Sequence, residues 1–167
     1  MVYNPPVITP KDIEFMELAI DAAKAAVVTG DVPVGAVVAV DGEAVAVAHN
    51  RREADNDPTA HAEVLAVRAA AEKLGRWRLS DATVYITKEP CVMCAGAMMS
   101  ARVKRVVYGA HDPRYGAAWS VYNILSDERL NHTAEVVSGV MADECLALLK
   151  GFFEEKRGSQ RTEIDKT

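Results

Sequence analysis

The chain has 167 residues, half of them apolar and 26% charged, which suits one compact globular domain with a sizeable core. Its formal net charge of −5 excludes an overall basic footprint of the nucleic-acid-binding kind and leaves room only for a local patch. No apolar run approaches the ~18 residues of a membrane span. The N-terminal stretch also lacks the basic start and apolar core of a secretory signal, and three cysteines, an odd number, favour a reducing cytoplasm over a disulfide framework.

In chain order, Thr9-Pro10 reads as a helix N-cap followed by proline at the first helical position. Ile13, Met16, Ile20, Ala23 and Val27 then mark one helical face, and Gly30 ends it. VGAVVAV (34–40) and EAVAVAH (43–49) flank Asp41-Gly42, the signal of a hairpin with a type I′ turn. NRREADND (50–57) is expected as a loop. Ala60 to Leu74 is a second helix with Val64, Val67, Ala71 and Leu74 inward, started by Thr59 or Asp57. TVYIT (83–87) is a short strand, Cys91 to Ser100 a helix, VKRVVYGA (103–110) a strand closed by glycine, and Ala134 to Ser138 a further strand. Met141 to Phe153 forms the last helix, with Met141, Cys145, Leu148 and Phe152 inward, and the polar residues after it are expected to fray. Helices alternating with strands after a hairpin imply an α/β layered sandwich. No repeat or low-complexity tract divides the chain.

The chemistry is concentrated in KEPCVMCAGAMM (88–99). Cys91 and Cys94, three apart, share a face at the start of a helix, where the helix end favours thiolate. Pro90 suits that start because its missing N–H would have no intrahelical partner. Taken alone, the pair is compatible with a redox couple, half of a structural zinc site, or two buried thiols. Cys145 lies on an apolar helix face and reads as core.

DPTAHAE (57–63) discriminates among these, because H-x-E followed by P-C-x-x-C is the pattern of zinc deaminases. His61, Cys91 and Cys94 make three ligands and leave a fourth tetrahedral position for water, as in a catalytic zinc site. Glu63 supplies a carboxylate to move protons. On a regular helix His61 and Glu63 would diverge by ~200°, so both reach one site only near a helix start. His49, His111 and His132 are not expected to bind metal, and of these only His111 is a candidate for touching substrate.

VPVGAVV (32–38), HNR (49–51), DPTAHAE (57–63), EPCVMCAGAM (89–98), ARVKRVVYGA (101–110), LNH (130–132) and ADECLALL (142–149) together resemble the tRNA-specific adenosine deaminases of the cytidine deaminase superfamily, over roughly Ile13 to Phe153. The resemblance implies a three-layer α/β/α sandwich around a mixed five-stranded sheet, and a homodimer. It also implies zinc on His61, Cys91 and Cys94, Glu63 as proton shuttle, and Asn50 hydrogen-bonding the flipped base. The implied reaction is adenosine to inosine at the wobble position in the tRNA anticodon loop; from the N-terminal stretch, the cysteine count and the lack of a long apolar run, a cytoplasmic protein with no membrane partner is expected. A deaminase of free nucleobases, nucleosides or related heterocycles would use the same machinery. The domain is expected over residues 9–157, between an N-terminal extension (1–8) and a polar tail (158–167).

Two features depart from the family's habit: Trp119 where glycine is common, and Glu154 and Glu155 where basic residues are frequent. Trp119 is expected as a core or dimer-contact indole, with a stacking platform as its other use. Arg51, Arg52, Arg102, Lys104, Arg105 and Arg114 are candidates for a phosphate-binding patch or a solvated face.

Overall fold

The structure, a computed structural model, describes residues 7–164, with side chains described as far as Ser159. Most of the expected N-terminal extension therefore lies outside the described residues. The elements are α1 (Pro10–Val27), β1 (Gly35–Val40), β2 (Glu43–His49), α2 (Arg52–Asp55), α3 (Ala62–Leu74), β3 (Thr83–Lys88), α4 (Val92–Ser100), β4 (Arg105–Ala110), β5 (Glu135–Ser138) and α5 (Ala142–Ile164).

The strands form one sheet in the order β2-β1-β3-β4-β5. β1 runs antiparallel to both β2 and β3, while β3, β4 and β5 are parallel, so the sheet is mixed and five-stranded as expected. α1 and α5 touch each other and pack on the sheet, and α3 and α4 form a second touching pair, which gives three layers. Strands covered on both faces need no polar alternation. β1, GAVVAV, is accordingly buried along almost its whole length. Asp41 and Gly42 have φ of 51° and 78°, the left-handed pair that a type I′ turn requires.

The N-terminus of α1 is a full capping box. Thr9 Oγ1 accepts from the Asp12 N–H, and Asp12 Oδ2 accepts from the Thr9 N–H. Asp12 is also fully buried, and its carboxylate receives Arg105 Nη1 at 2.6 Å, Arg105 Nη2 at 3.0 Å and the Tyr85 hydroxyl at 3.1 Å. One side chain thus ties the start of α1 to β3 and β4.

Several expectations need correction. The buried stripe of α1 is Phe15, Met16, Ala19, Ile20, Ala23 and Ala26, whereas Ile13 and Val27 are exposed. They lie at the edges of an apolar arc wider than the sheet covers. Residues 50–57 are not simply a loop, because Arg52–Asp55 forms the single helical turn α2. The carboxylate of the buried Asp31 accepts from the Glu53 and Ala54 N–H groups and so caps a turn that has no cap of its own. α3 begins at Ala62, not Ala60, since Asp57 spends its carboxylate on the N–H and hydroxyl of Thr59. Its buried face is Ala62, Glu63, Ala66, Val67 and Ala70, with Val64, Ala71 and Leu74 only half-buried.

In α5, Cys145, Leu149 and Phe152 are buried, while Leu148 is half-buried and Met141 precedes the helix with φ 51°. The helix also runs past its expected end at Phe153, to Ile164. Glu154, Glu155, Lys156 and Arg157 are good helix formers, enough to carry it through Gly158. Among the described residues, no helix is long and apolar enough to cross a membrane.

Candidate active site

The site lies at one end of the sheet, where the carboxyl end of β3 meets the beginning of β1 and the end of β2. His49 pairs with Gly35 there, and Lys88 with Ala110. Chain segments leave the sheet at this end, and two helices start from it.

His61 and Cys91 occupy equivalent places. Each is the N-cap of its helix, extended at φ −76°, ψ 146° and φ −77°, ψ 174° respectively, and neither makes a side-chain capping bond. Their side chains turn instead towards each other. Cys91 Sγ lies 3.7 Å from His61 Nδ1, Cys94 Sγ 3.4 Å from the same nitrogen, and the two sulfurs are 3.6 Å apart. A tetrahedral zinc with bonds of ~2.3 Å to sulfur and ~2.05 Å to nitrogen would set its ligands about 3.8 Å (S to S) and 3.6 Å (S to N) apart. The three atoms therefore fit around one ion. They are also the one group of ligating side chains of this kind among the described residues.

Their ionisation agrees with that role. Hydrogen bonds shared with Cys94 and with His61 hold the Cys91 thiol down to about 3, against the upward push of burial. The same bond to Cys91, with burial and the nearby Glu63 carboxylate, raises Cys94. The contact with Cys91 also raises His61. The cluster is rich in lone pairs, and a divalent cation would favour thiolate on both cysteines.

Glu63 sits in the first turn of α3, two residues after its N-cap, and is 4% exposed. Because His61 stands outside the helix in extended conformation, the two side chains escape the ~200° divergence of a continuous helix. Burial raises the Glu63 carboxyl, and Cys94 lies against it. Asn50, just beyond β2, is 6% exposed, and its N–H donates to the Val34 carbonyl at 2.9 Å. Among the described residues no hydrogen bond engages its side-chain amide. Asn50, His61, Glu63 and Cys91 all face one cavity of about 490 Å³, closed on its apolar side by Val34, Leu149 and Phe153.

The other wall was not legible from spacing. Glu89, 2% exposed, accepts from the N–H groups of Asp112 at 2.9 Å, Ala118 at 3.3 Å, Trp119 at 2.8 Å and Ser120 at 2.8 Å, and from the Ser120 hydroxyl. Residues 112–120 wrap around this one carboxylate. A Cβ on Gly116 would come within 2.4 Å of the Glu89 carboxyl carbon, so the wrap needs glycine. The Ala117 N–H reaches the Pro90 carbonyl at 2.8 Å, which joins the loop to the start of α4. The loop delivers Tyr115 to the cavity, and Lys88 pairs with Asp112 beside it.

The remaining candidates separate. Trp119 is 74% exposed, neither in the core nor among the cavity residues, because Glu89 grips its backbone and leaves the indole outside. Cys145 is buried core, and the three cysteines are free thiols. His111 contacts the Tyr108 hydroxyl at 3.2 Å and lines a neighbouring cavity, not this one. His132 is bound to the Val103 carbonyl at 2.7 Å. Of the basic residues, Arg105 is committed to Asp12 and Glu135, Arg51 to Asp55 and Arg102 to Asn131, whereas Arg52 lines the catalytic cavity and Arg114 its neighbour.

A family model described as MafB19-like deaminase matches residues 11–157. A relative from Bacillus subtilis (strain 168), named tRNA-specific adenosine deaminase, is 48% identical over 151 residues, 90% of this chain and 94% of its own length. This chain belongs to the tRNA-specific adenosine deaminase family. A solved structure described as one of the tRNA:A34 deaminases, concerned with A-to-I editing at the wobble position, superposes with a TM-score of 0.79 at 43% identity, covering 81% of this chain and 99% of that one. The family's likeness extends to a guanine deaminase from Bacillus subtilis, 40% identical with a TM-score of 0.57, over 62% of this chain and 66% of that one.

Proposed function

We propose that this protein hydrolyses adenosine to inosine at the wobble position in the tRNA anticodon loop, with one zinc ion per chain on His61, Cys91 and Cys94. The observation that carries the reading is three ligand atoms spaced for one ion beside a buried Glu63, in a cavity that also holds the Asn50 amide. The tRNA substrate rests on the identity to relatives named for it.

When bound, zinc lowers the pKa of water towards ~7 and so supplies hydroxide near neutral pH. Glu63 would take a proton from the attacking water and deliver it to N1 of the purine as the water oxygen bonds to C6, then pass the second proton to the C6 amine as the C6–N bond breaks. Water and adenosine thereby leave as inosine and ammonia. A carboxyl raised towards neutrality accepts and returns protons most effectively. The Asn50 amide both donates and accepts, which suits the edge of a base. Val34, Leu149 and Phe153 keep bulk water from the ring.

The reading extends to a homodimer in the cytoplasm, with residues 9–157 as the deaminase domain. Three cysteines without a disulfide among them suit a reducing setting. Exposed Val92 on α4 and Trp119 and Tyr122 on the loop bonded to Pro90 offer apolar surface for a second copy, testable by light scattering. A second reading, a free purine such as guanine, is favoured by the guanine deaminase likeness. Incubation with an anticodon stem-loop RNA and with a panel of free bases separates the two. Inosine in the stem-loop is the expected product, and rapid deamination of a free base with the stem-loop untouched would overturn the tRNA reading.

A further inference from the structure

The catalytic cavity adjoins a second cavity of about 620 Å³, and the two share a ridge formed by Lys88, Asp112, Tyr115, Leu149 and Phe153. Their charges differ: the first is nearly balanced and the second is cationic. Around the catalytic cavity, Glu63, Glu89 and Asp112 stand against Arg52 and Lys88. Beyond the ridge, Arg114, Lys150, Lys156 and Arg157 line the second cavity, and Asp112 is the one carboxylate among its lining residues. In a chain of net charge −5 this is a local reversal of sign. For a strand whose base enters the first cavity, the second offers a cationic lining for the adjoining phosphates.

Lys88 stands at that crossing. It is the last residue of β3, its position set by the sheet, and its side chain is 30% exposed. Its Nζ donates to Asp112 Oδ2, while Oδ1 accepts from the N–H groups of Arg114 and Tyr115. The Asp112 charge is thus paired, and both of its oxygens accept hydrogen bonds. An ammonium carries three donors and Asp112 takes one, so donors remain for a ligand.

We infer that Lys88 is a specificity-determining residue for a polyanionic substrate: it cancels Asp112 on the ridge and offers its remaining donors to the phosphate beside the base being deaminated. This rests on the RNA reading above. Tyr115 and Phe153, 69% and 45% exposed on the same ridge, offer faces on which flanking bases stack.

The test is binding of an anticodon stem-loop RNA to the zinc-loaded protein across a salt series, with wild type, Lys88→Met and Lys88→Arg compared. Each phosphate contact contributes about one to the slope of log affinity against log salt. Lys88→Met is expected to lower the magnitude of that slope by about 1 and to weaken binding roughly tenfold at low salt, whereas Lys88→Arg keeps the slope. A residue that merely braced Asp112 would change melting temperature without changing the slope. If Lys88→Met melts early, Lys88→Gln keeps a donor for Asp112, loses the charge, and reads the same slope. A wild-type slope in the neutral variants overturns the role of Lys88 while leaving the substrate reading intact. A wild-type protein that neither binds nor deaminates the stem-loop overturns both.

Discussion

Glu63 and Glu89 are buried to nearly the same degree, 4% and 2% exposed, and face the same cavity, yet their carboxyls are pushed in opposite directions. Burial dominates at Glu63 and raises it. Burial also pushes Glu89 up, but the Ser120 hydroxyl and the N–H groups of Ser120, Asp112 and Trp119 outweigh it and leave the group lowered. The donors around Glu89 set the two apart. A carboxylate wrapped by four N–H groups and a hydroxyl is a fixed anion that holds a loop, whereas one buried with few donors is poised to gain and lose a proton.

The largest expected effect tests the Glu63 side. Glu63→Ala should keep the fold and the metal while deamination falls by about 10²–10⁴, the usual loss on removing a general acid–base. Single-turnover rates with metal analysis measure it. Near-normal turnover would erase the contrast between the two glutamates, and loss of zinc would make Glu63 a support of the metal centre.

On the other side, Glu89→Ala strands two buried and two part-buried N–H groups at once. A cost of about 2–4 kcal/mol is expected, since each unsatisfied buried group costs ~1–3 kcal/mol and the loop relaxes in part. Urea unfolding measures it. A loss below ~0.5 kcal/mol, the level of an ordinary surface change, would mean that the loop does not depend on its anion.

Asp12 sharpens the comparison away from the cavity, as a second buried carboxylate satisfied by donors. Burial raises it, but Arg105 and Thr9 outweigh that and hold it at about 2, below the ordinary 3.8. A carboxyl depressed on folding contributes stability that is fully present above its unfolded pKa and is lost as pH falls through the folded value. The contribution is about 2 kcal/mol, lost between roughly pH 4 and pH 2. Asp12→Asn should therefore lower stability at pH 7 by about 2 kcal/mol and flatten the acid limb in that window. Urea midpoints across pH would show it, and parallel acid limbs for the two proteins would refute the linkage.

By itself the sequence determined the local features. Thr9-Pro10, Asp41-Gly42 and the apolar runs specify a cap, a turn and strands through short-range sterics and hydrogen bonding. They place the first helix, the hairpin and the order of strands. Spacing likewise located His61, Cys91 and Cys94, because ligand chemistry demands those side chains at the starts of two helices. Tertiary structure decided what depends on distant partners. The turn of α2 exists because Asp31 caps it from more than twenty residues away. The 112–120 wall follows from Glu89, whose donors lie well downstream in a segment without periodicity. Trp119, large and apolar, reads as a core or dimer-contact indole in sequence, and it stands outside the core of this chain because its backbone, not its ring, is the part held. Periodicity encodes which face of an element is apolar, while a hydrogen bond across the fold encodes where an irregular segment must stand, and nothing in the local run of residues carries that information.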